Sequence, residues 1–459
     1  MSHPENIQQY LADFLVAASA SRGPGSGGHA SGTLDRANEL LAAHPSIAGN
    51  TIYAAAVLGD ETAIRHFISV DKGNATIKGG PYEWDALTWL CFSKYLRLDP
   101  ARSDAFIRSA AALLEAGADA NTGFYEDPHL PKPEWESVLY GAAGVAHHGG
   151  VTQLLLQNGA DPNDGEVTYH TPETRDNEAL QAILATGKLT EDSLAIMLLR
   201  KSDWHDEDGM RLLLEKGADP NRMTLWGYTA LHQSLRRDNG AGMVEKLLDH
   251  GGDPALESQR EHRSALSVAI RRGRRDVLEL FQRKGIPIDV SGVERLIAAC
   301  ALDDKTAIAA LAISEPALVK ELLAEGGTLL AEFAGNANAT GVANLLDLGV
   351  PVTASYMHGD GYFGIPWGST ALHVAAWKAW PSVVKVLLER GAPVNAEDGA
   401  GRTPLYYAVQ ACINSYWTYR RNPDSIKALL EAGASIPAAA VEVPTGYAAA
   451  DDLLLRYRD

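Results

Sequence analysis

A short phrase ending in a glycine turn recurs along this chain and limits its fold more than any other feature. LLEAGADAN carries Gly117, LLQNGADPN Gly159, LLEKGADPN Gly217 and LLDHGGDPA Gly251. FQRKGIPID carries Gly285, LLDLGVPVT Gly349, LLERGAPVN Gly391 and LLEAGASIP Gly433. Each follows an apolar, mostly leucine-rich run, so the glycine reads as a helix C-terminal cap, where the backbone turns left-handed. The Asp, Pro or Asn behind it opens a turn. The glycines are 42, 58, 34, 34, 64, 42 and 42 residues apart. A period of this size means stacked repeats, which grow along one axis without a larger single core. The gaps of 58 and 64 each leave room for a degenerate repeat, one ending near residues 185–189 and one near 315–319.

A second signal precedes the first: YTALHQSL at 228–235, STALHVAA at 369–376, RTPLYYAV at 402–409 and RSALSVAI at 263–270, with weaker copies at 50–57 and 137–144. A Thr or Ser N-cap followed by small residues predicts a short helix that packs closely on its neighbour. Together the two phrases resemble the ankyrin repeat, whose consensus contains T-P-L-H-x-A and L-L-x-x-G-A-D. The resemblance covers roughly 85% of the chain. It implies an all-α solenoid of helix-turn-helix repeats with hairpin loops, about 11 repeats at residues 50–440 by the notation of this sequence. Residues 1–49 are expected to form a helical cap with a flexible Gly/Ser linker, and residues 441–459 a capping helix. His232 and His373 stand at the histidine of the motif and His148 in a turn between helices, where the resemblance implies structural hydrogen bonds.

Composition narrows the partners. With 40 basic against 58 acidic residues the net charge is −18, which disfavours nucleic acid and anionic membranes. No apolar run approaches the length that spans a bilayer, and the N-terminus reads as an amphipathic helix rather than a leader. Cys91, Cys300 and Cys412 stand far apart, outside metal or disulfide spacing, which suits a reducing, cytoplasmic compartment.

Ankyrin-type geometry implies a concave groove lined by hairpin tips and by the ends of the first helices. Those positions hold Tyr82, Trp84, Trp226, Tyr228, Arg263, Trp367, Trp377 and Lys378, together with three basic pairs in register: Arg200/Lys201, Arg236/Arg237 and Arg271/Arg272. Helices about 8–10 Å apart would align six cations over about 20 Å. An anionic partner would relieve their repulsion, and Trp, Tyr and Arg suit a binding hot spot. The expected function is therefore recognition of an acidic, partly apolar partner, a protein segment or a small anionic ligand, with no cofactor.

Two insertions, 124–137 and 355–369, lengthen the hairpin side and are expected to reach over the groove. Two others, 93–104 and 413–425, fall between helices, the second offering an edge patch from Tyr416 to Arg421. No nucleotide, zinc or nucleophile motif occurs. WHDEDG at 204–209 reads as a helix start, so no metal site is assigned. The alternative function is an enzyme or small-molecule receptor acting on an anionic ligand. Its acid–base candidates are His358, Asp360 and Tyr362 in one inserted loop and Tyr169 and His170 in TYHTPE, read as a hairpin tip.

Overall fold

The computed structural model describes residues 4–22, 27–126, 133–415, 417–436 and 444–457. The chain divides into two compact units, Met1–Asp253 with Ser258–Arg260 and Pro254–Glu257 with Glu261–Asp459. Both are built from antiparallel helix pairs, and the class is all-α. The strands of the described residues form two short hairpins.

In the first unit the pairs are Ile52–Leu58 with Glu61–Val70, Ala86–Cys91 with Ser103–Glu115, and Val138–Tyr140 with Gly149–Gln157. Gly165–His170 with Glu178–Ala185, Glu191–Asp203 with Glu207–Glu215, and Ala230–Arg236 with Ala241–Asp249 follow. The helix Gly165–His170 packs on Glu191–Asp203, which packs on Ala230–Arg236, so first helices stack on first helices. The second unit repeats the scheme from Ala265–Arg271 with Arg275–Arg283 to Pro404–Ile413 with Asp424–Glu431.

Local chemistry follows the two phrases. The glycines from Gly117 to Gly433 that end the LL-x-x-G runs all have φ between +71° and +106°. Thr229, Ser264 and Thr403 each accept the N–H three residues on, closing the N-terminus of a first helix. His373 completes a capping box with Thr370 and shares its Nε2 with the carbonyls of Ala396 and Arg402, at 3.0 Å each. His232 sits 2.8 Å from Thr229 Oγ1. Both imidazoles are buried and structural in their contacts. His148 caps the next helix through Val151 N. A left-handed residue also recurs between the helices of a pair, at His147, His205, Asp238, Gly273, Asp303, Ala337 and Ala379.

The degenerate repeat expected to end near residues 315–319 is the helix pair Val293–Leu302 and Lys305–Ser314, after which Pro316 opens the next helix, Pro316–Ala324. Other expectations need correcting. Tyr169 and His170 are not at a hairpin tip; they end the helix Gly165–His170. The described ends of the N-terminal linker are docked. Ala20 N donates to Phe92 O at 2.8 Å, and Arg97 holds the carbonyls of Ser31 and Gly32. Helix Pro4–Ala18 packs on Asp35–Ala43 and Ile52–Leu58 by burying Leu11, Phe14 and Leu15.

Candidate functional site

In the first unit, strands β1 (Gly123–Glu126) and β2 (Glu134–Ser137) pair antiparallel, with Phe124 opposite Glu136 and Glu126 opposite Glu134. Alternation puts Tyr125 and Trp135 on one face, where their rings meet at 4.8 Å. Glu126, Glu134 and Glu136 share the other face. That face walls a cleft of about 880 Å³, whose far side is made by Glu166, Tyr169, His170 and Glu173 and whose rim carries Leu225 and Trp226. His29, from the N-terminal segment, lines it as well.

The cleft is acidic. Glu136 is buried, and its Oε2 accepts no hydrogen bond among the described residues. His29 Nδ1, 3.9 Å away, shares its hydrogen bond with Tyr140 Oη at 3.0 Å. Burial and the charges of Glu166, Glu126 and Glu134 push the Glu136 carboxyl up to about 8. His170 behaves oppositely. Burial pulls it down, but bonds from its two nitrogens to Glu166 (3.2 Å) and Glu173 (3.0 Å) outweigh that and raise it to about 9. It is an imidazolium at neutral pH and a poor general base.

Beside the cleft, the chain supplies its own example of cation binding. The Arg22 guanidinium lies 4.6 Å from the Phe124 ring centre, 5.2 Å from Tyr82 and 5.7 Å from Trp84. Its Nε donates to Glu126 Oε2 at 2.9 Å and its Nη2 to the Tyr125 carbonyl. Trp84, expected at an exposed tip, is 1% exposed because it stacks on Phe124 and packs at a tilt against Trp89 beneath this arginine.

Five of the six cations in the basic pairs meet carboxylates of the same chain. Lys201 is wholly buried, donating to Asp206 Oδ2 at 2.6 Å and to the Thr174 carbonyl. Arg200 is bound by Glu173 and Asp203 and lies over Tyr169. Arg237 also reaches Asp203, at 2.6 Å, while Arg236 stacks on the buried Tyr228 at 4.0 Å. In the second unit Arg271 bridges Glu294 and Glu325, and Arg272 meets Glu332. The repulsion expected of these pairs is therefore relieved internally. Arg263 is exposed.

The loop 355–369 belongs to the second unit. Its ends pair as β3 (Ser355–Tyr356) and β4 (Ser369–Thr370). Phe363 and Ile365 fold down among Val374, Ala379 and Trp417. Trp377 Nε1 donates to the Phe363 carbonyl at 2.7 Å, and Lys378 is buried with its Nζ 3.9 Å from the Phe363 ring centre. Asp360 Oδ1 accepts from the N–H groups of Tyr362 and Phe363, a turn-forming role, while His358 and Trp367 are exposed. Of the five acid–base candidates, Tyr169 and His170 line the first-unit cleft. The other three lie in this loop. In the edge insertion Trp417 is buried and Tyr419 exposed; Tyr416 is outside the described residues.

Residue numbering missed Glu126, Glu134, Glu136 and Glu166. The signal was present as E-x-E within an inserted segment, which strand alternation places on one face.

The model for ankyrin repeats in three copies matches residues 196–292 and 289–439, more than half of the chain. The chain belongs to the ankyrin-repeat family. Ankyrin repeats generally mediate protein–protein interaction. Among relatives, a putative ankyrin repeat protein of Rickettsia bellii is 45% identical over 78 residues, 17% of this chain and 28% of its own length. Serine/threonine-protein kinase 12 of Arabidopsis thaliana is 34% identical over 121 residues, 26% of this chain and 22% of the kinase. The mitochondrial disaggregase of Bos taurus is 26% identical over 186 residues, 39% of this chain and 22% of that protein. The chain thus spans about a quarter of the length of these curated relatives. The solved human ASB11 ankyrin repeat domain is 20% identical, with a TM-score of 0.26, over 59% of this chain and 99% of that one. Among the described residues no helix is long and apolar enough to cross a membrane.

Proposed function

We propose that this ankyrin-repeat protein is a non-catalytic binding module whose first-unit cleft holds a basic side chain of a protein partner. The observation that carries this reading is the lining: Glu126, Glu134, Glu136, Glu166 and Glu173 beside Tyr140, Tyr169 and Trp226. Carboxylates joined to aromatic faces suit an ammonium or guanidinium, which gains both charge pairing and cation–π attraction. Arg22 is bound next door by the same combination. Leu225, 74% exposed at the rim, adds an apolar contact for the partner backbone around that side chain.

The acidic partner expected from the basic pairs has less support, because five of the six cations are engaged by Glu173, Asp203, Asp206, Glu294, Glu325 and Glu332, and Arg236 lies over Tyr228. Selection from displayed random 12-residue peptides, run in EDTA, separates the two. Enrichment of Arg and Lys, lost in the Glu136→Gln, Glu166→Gln variant, is the expected result. Enrichment of Asp and Glu, lost instead in Arg236→Glu, would return the acidic partner. For a selected peptide the double variant should weaken binding at least tenfold, about 1.4 kcal/mol.

A further inference from the structure

We propose that Glu134, Glu136 and Glu166 form a binding site for a hard divalent cation, calcium in preference to magnesium. This goes beyond the partner reading and does not depend on it. One carboxylate oxygen from each residue lies within 4.8 Å of the others. Glu134 and Glu136 are two apart on β2, so the pleat holds them on one face. Glu166 is brought against them by the first turn of the helix Gly165–His170.

A cluster of carboxylates alone would mean little in a chain with 58 acidic residues. The deciding observation is the burial of one member, Glu136, rather than the clustering. The Glu136 side chain is 2% exposed, lines the cleft, and among the described residues leaves Oε2 without a hydrogen bond, with His29 Nδ1 3.9 Å away. A buried acceptor with no donor costs about 1–3 kcal/mol, and folded proteins retain such groups where something else satisfies them. An ion in the cleft would satisfy it directly.

The donor set selects the kind of ion. The nearby imidazole nitrogens have partners: those of His170 in Glu166 and Glu173, Nδ1 of His29 in Tyr140, and its Nε2 in Glu126 at 3.6 Å. Oxygen is then what the trio offers, which suits Ca²⁺ or Mg²⁺ rather than zinc. Calcium sits about 2.3–2.6 Å from each oxygen and reaches oxygens up to about 5 Å apart. Magnesium, at about 2.0–2.1 Å, spans only about 4 Å and demands a regular octahedron. Three carboxylates on two elements, with water filling the remaining positions through the open cleft, match the looser requirement of calcium.

The test uses the full chain and Tb³⁺ as the probe, with luminescence sensitised by the tyrosines and tryptophans of the cleft and followed by competition with Ca²⁺ or Mg²⁺. The expected result is one saturable site, displaced by Ca²⁺ at concentrations at least tenfold below Mg²⁺. Affinity should fall at least tenfold in Glu136→Gln and in Glu166→Gln and stay unchanged in Glu321→Gln. Ca²⁺ should also raise the melting temperature of the wild type but not of Glu166→Gln. Because Glu134 is exposed, Glu134→Gln serves if the buried substitution fails to fold. No saturable site, a site indifferent to these substitutions, or equal displacement by Mg²⁺ would overturn the proposal. Peptide selection in EDTA reads the partner site alone, so either idea can fail without the other.

Discussion

Lys201 and Glu136 are both buried ionisable groups, and they differ in what surrounds them. Lys201 has Asp206 and a carbonyl; the Glu136 Oε2 has other carboxylates nearby and accepts no hydrogen bond among the described residues. Replacing Lys201 by methionine leaves Asp206 uncompensated and should cost about 3–5 kcal/mol in denaturant unfolding. A loss below about 1 kcal/mol would mean that the ion pair contributes little. Adjacent helical residues point about 100° apart, so a basic pair cannot present both members to one groove. That geometry was available from the numbering and explains why Arg200 and Lys201 part company. The carboxylates that neutralise the pairs were less legible, since Glu294, Glu325 and Glu332 come from 20 to 60 residues away. His373 gives a pH-dependent test. Burial holds its pKa below the usual 6.5, so the folded chain keeps it neutral while the unfolded chain takes up a proton below that pH. Its contribution is complete above about pH 6.5 and is lost as pH falls toward the folded value. His373→Gln should therefore destabilise more at pH 7.5 than at pH 5.5; an equal loss at both would refute the assignment.

Among the elements, the helix pairs and their caps were readable because each obeys a local rule. The glycines make the point quantitatively. Gly217 has φ +88° and open space where a Cβ would go, so Gly217→Ala should cost about 1–2 kcal/mol, from backbone strain alone. At Gly273, with φ +64°, a Cβ would lie 2.1 Å from the Phe333 ring. There overpacking adds about 1–3 kcal/mol, so Gly273→Ala should be clearly the more damaging in parallel chemical melts. The reverse order would show that Phe333 yields freely. The β1–β2 hairpin was legible only as an insertion. Its alternation could be counted, but which residue of one strand faces which of the other depends on the intervening turn. The register that sets Glu126 against Glu134 therefore could not be counted out. Like charges directly opposite weaken a hairpin. Glu134→Lys should accordingly raise the melting temperature while weakening capture of selected basic peptides.

At the scale of the whole molecule, the period of the glycine phrases led to the family, and the family does not name a partner. Net charge gave a truer guide to the cleft than the register of basic residues did. A chain at −18 carries its excess acid partly inside the first unit. Binding through that cleft should weaken about tenfold or more as salt rises from 50 to 500 mM, as screening shortens the reach of its charges. Affinity indifferent to salt would point to the apolar rim instead. The docked Arg22 also bears on how the protein would behave when shortened. Its guanidinium already fills the seat formed by Tyr82, Trp84, Phe124 and Glu126. A version lacking residues 1–30 would present that seat empty, and any arginine-bearing bystander could settle there. Specificity measured on such a version would describe the vacancy, and the intact chain would look weaker and more selective by comparison.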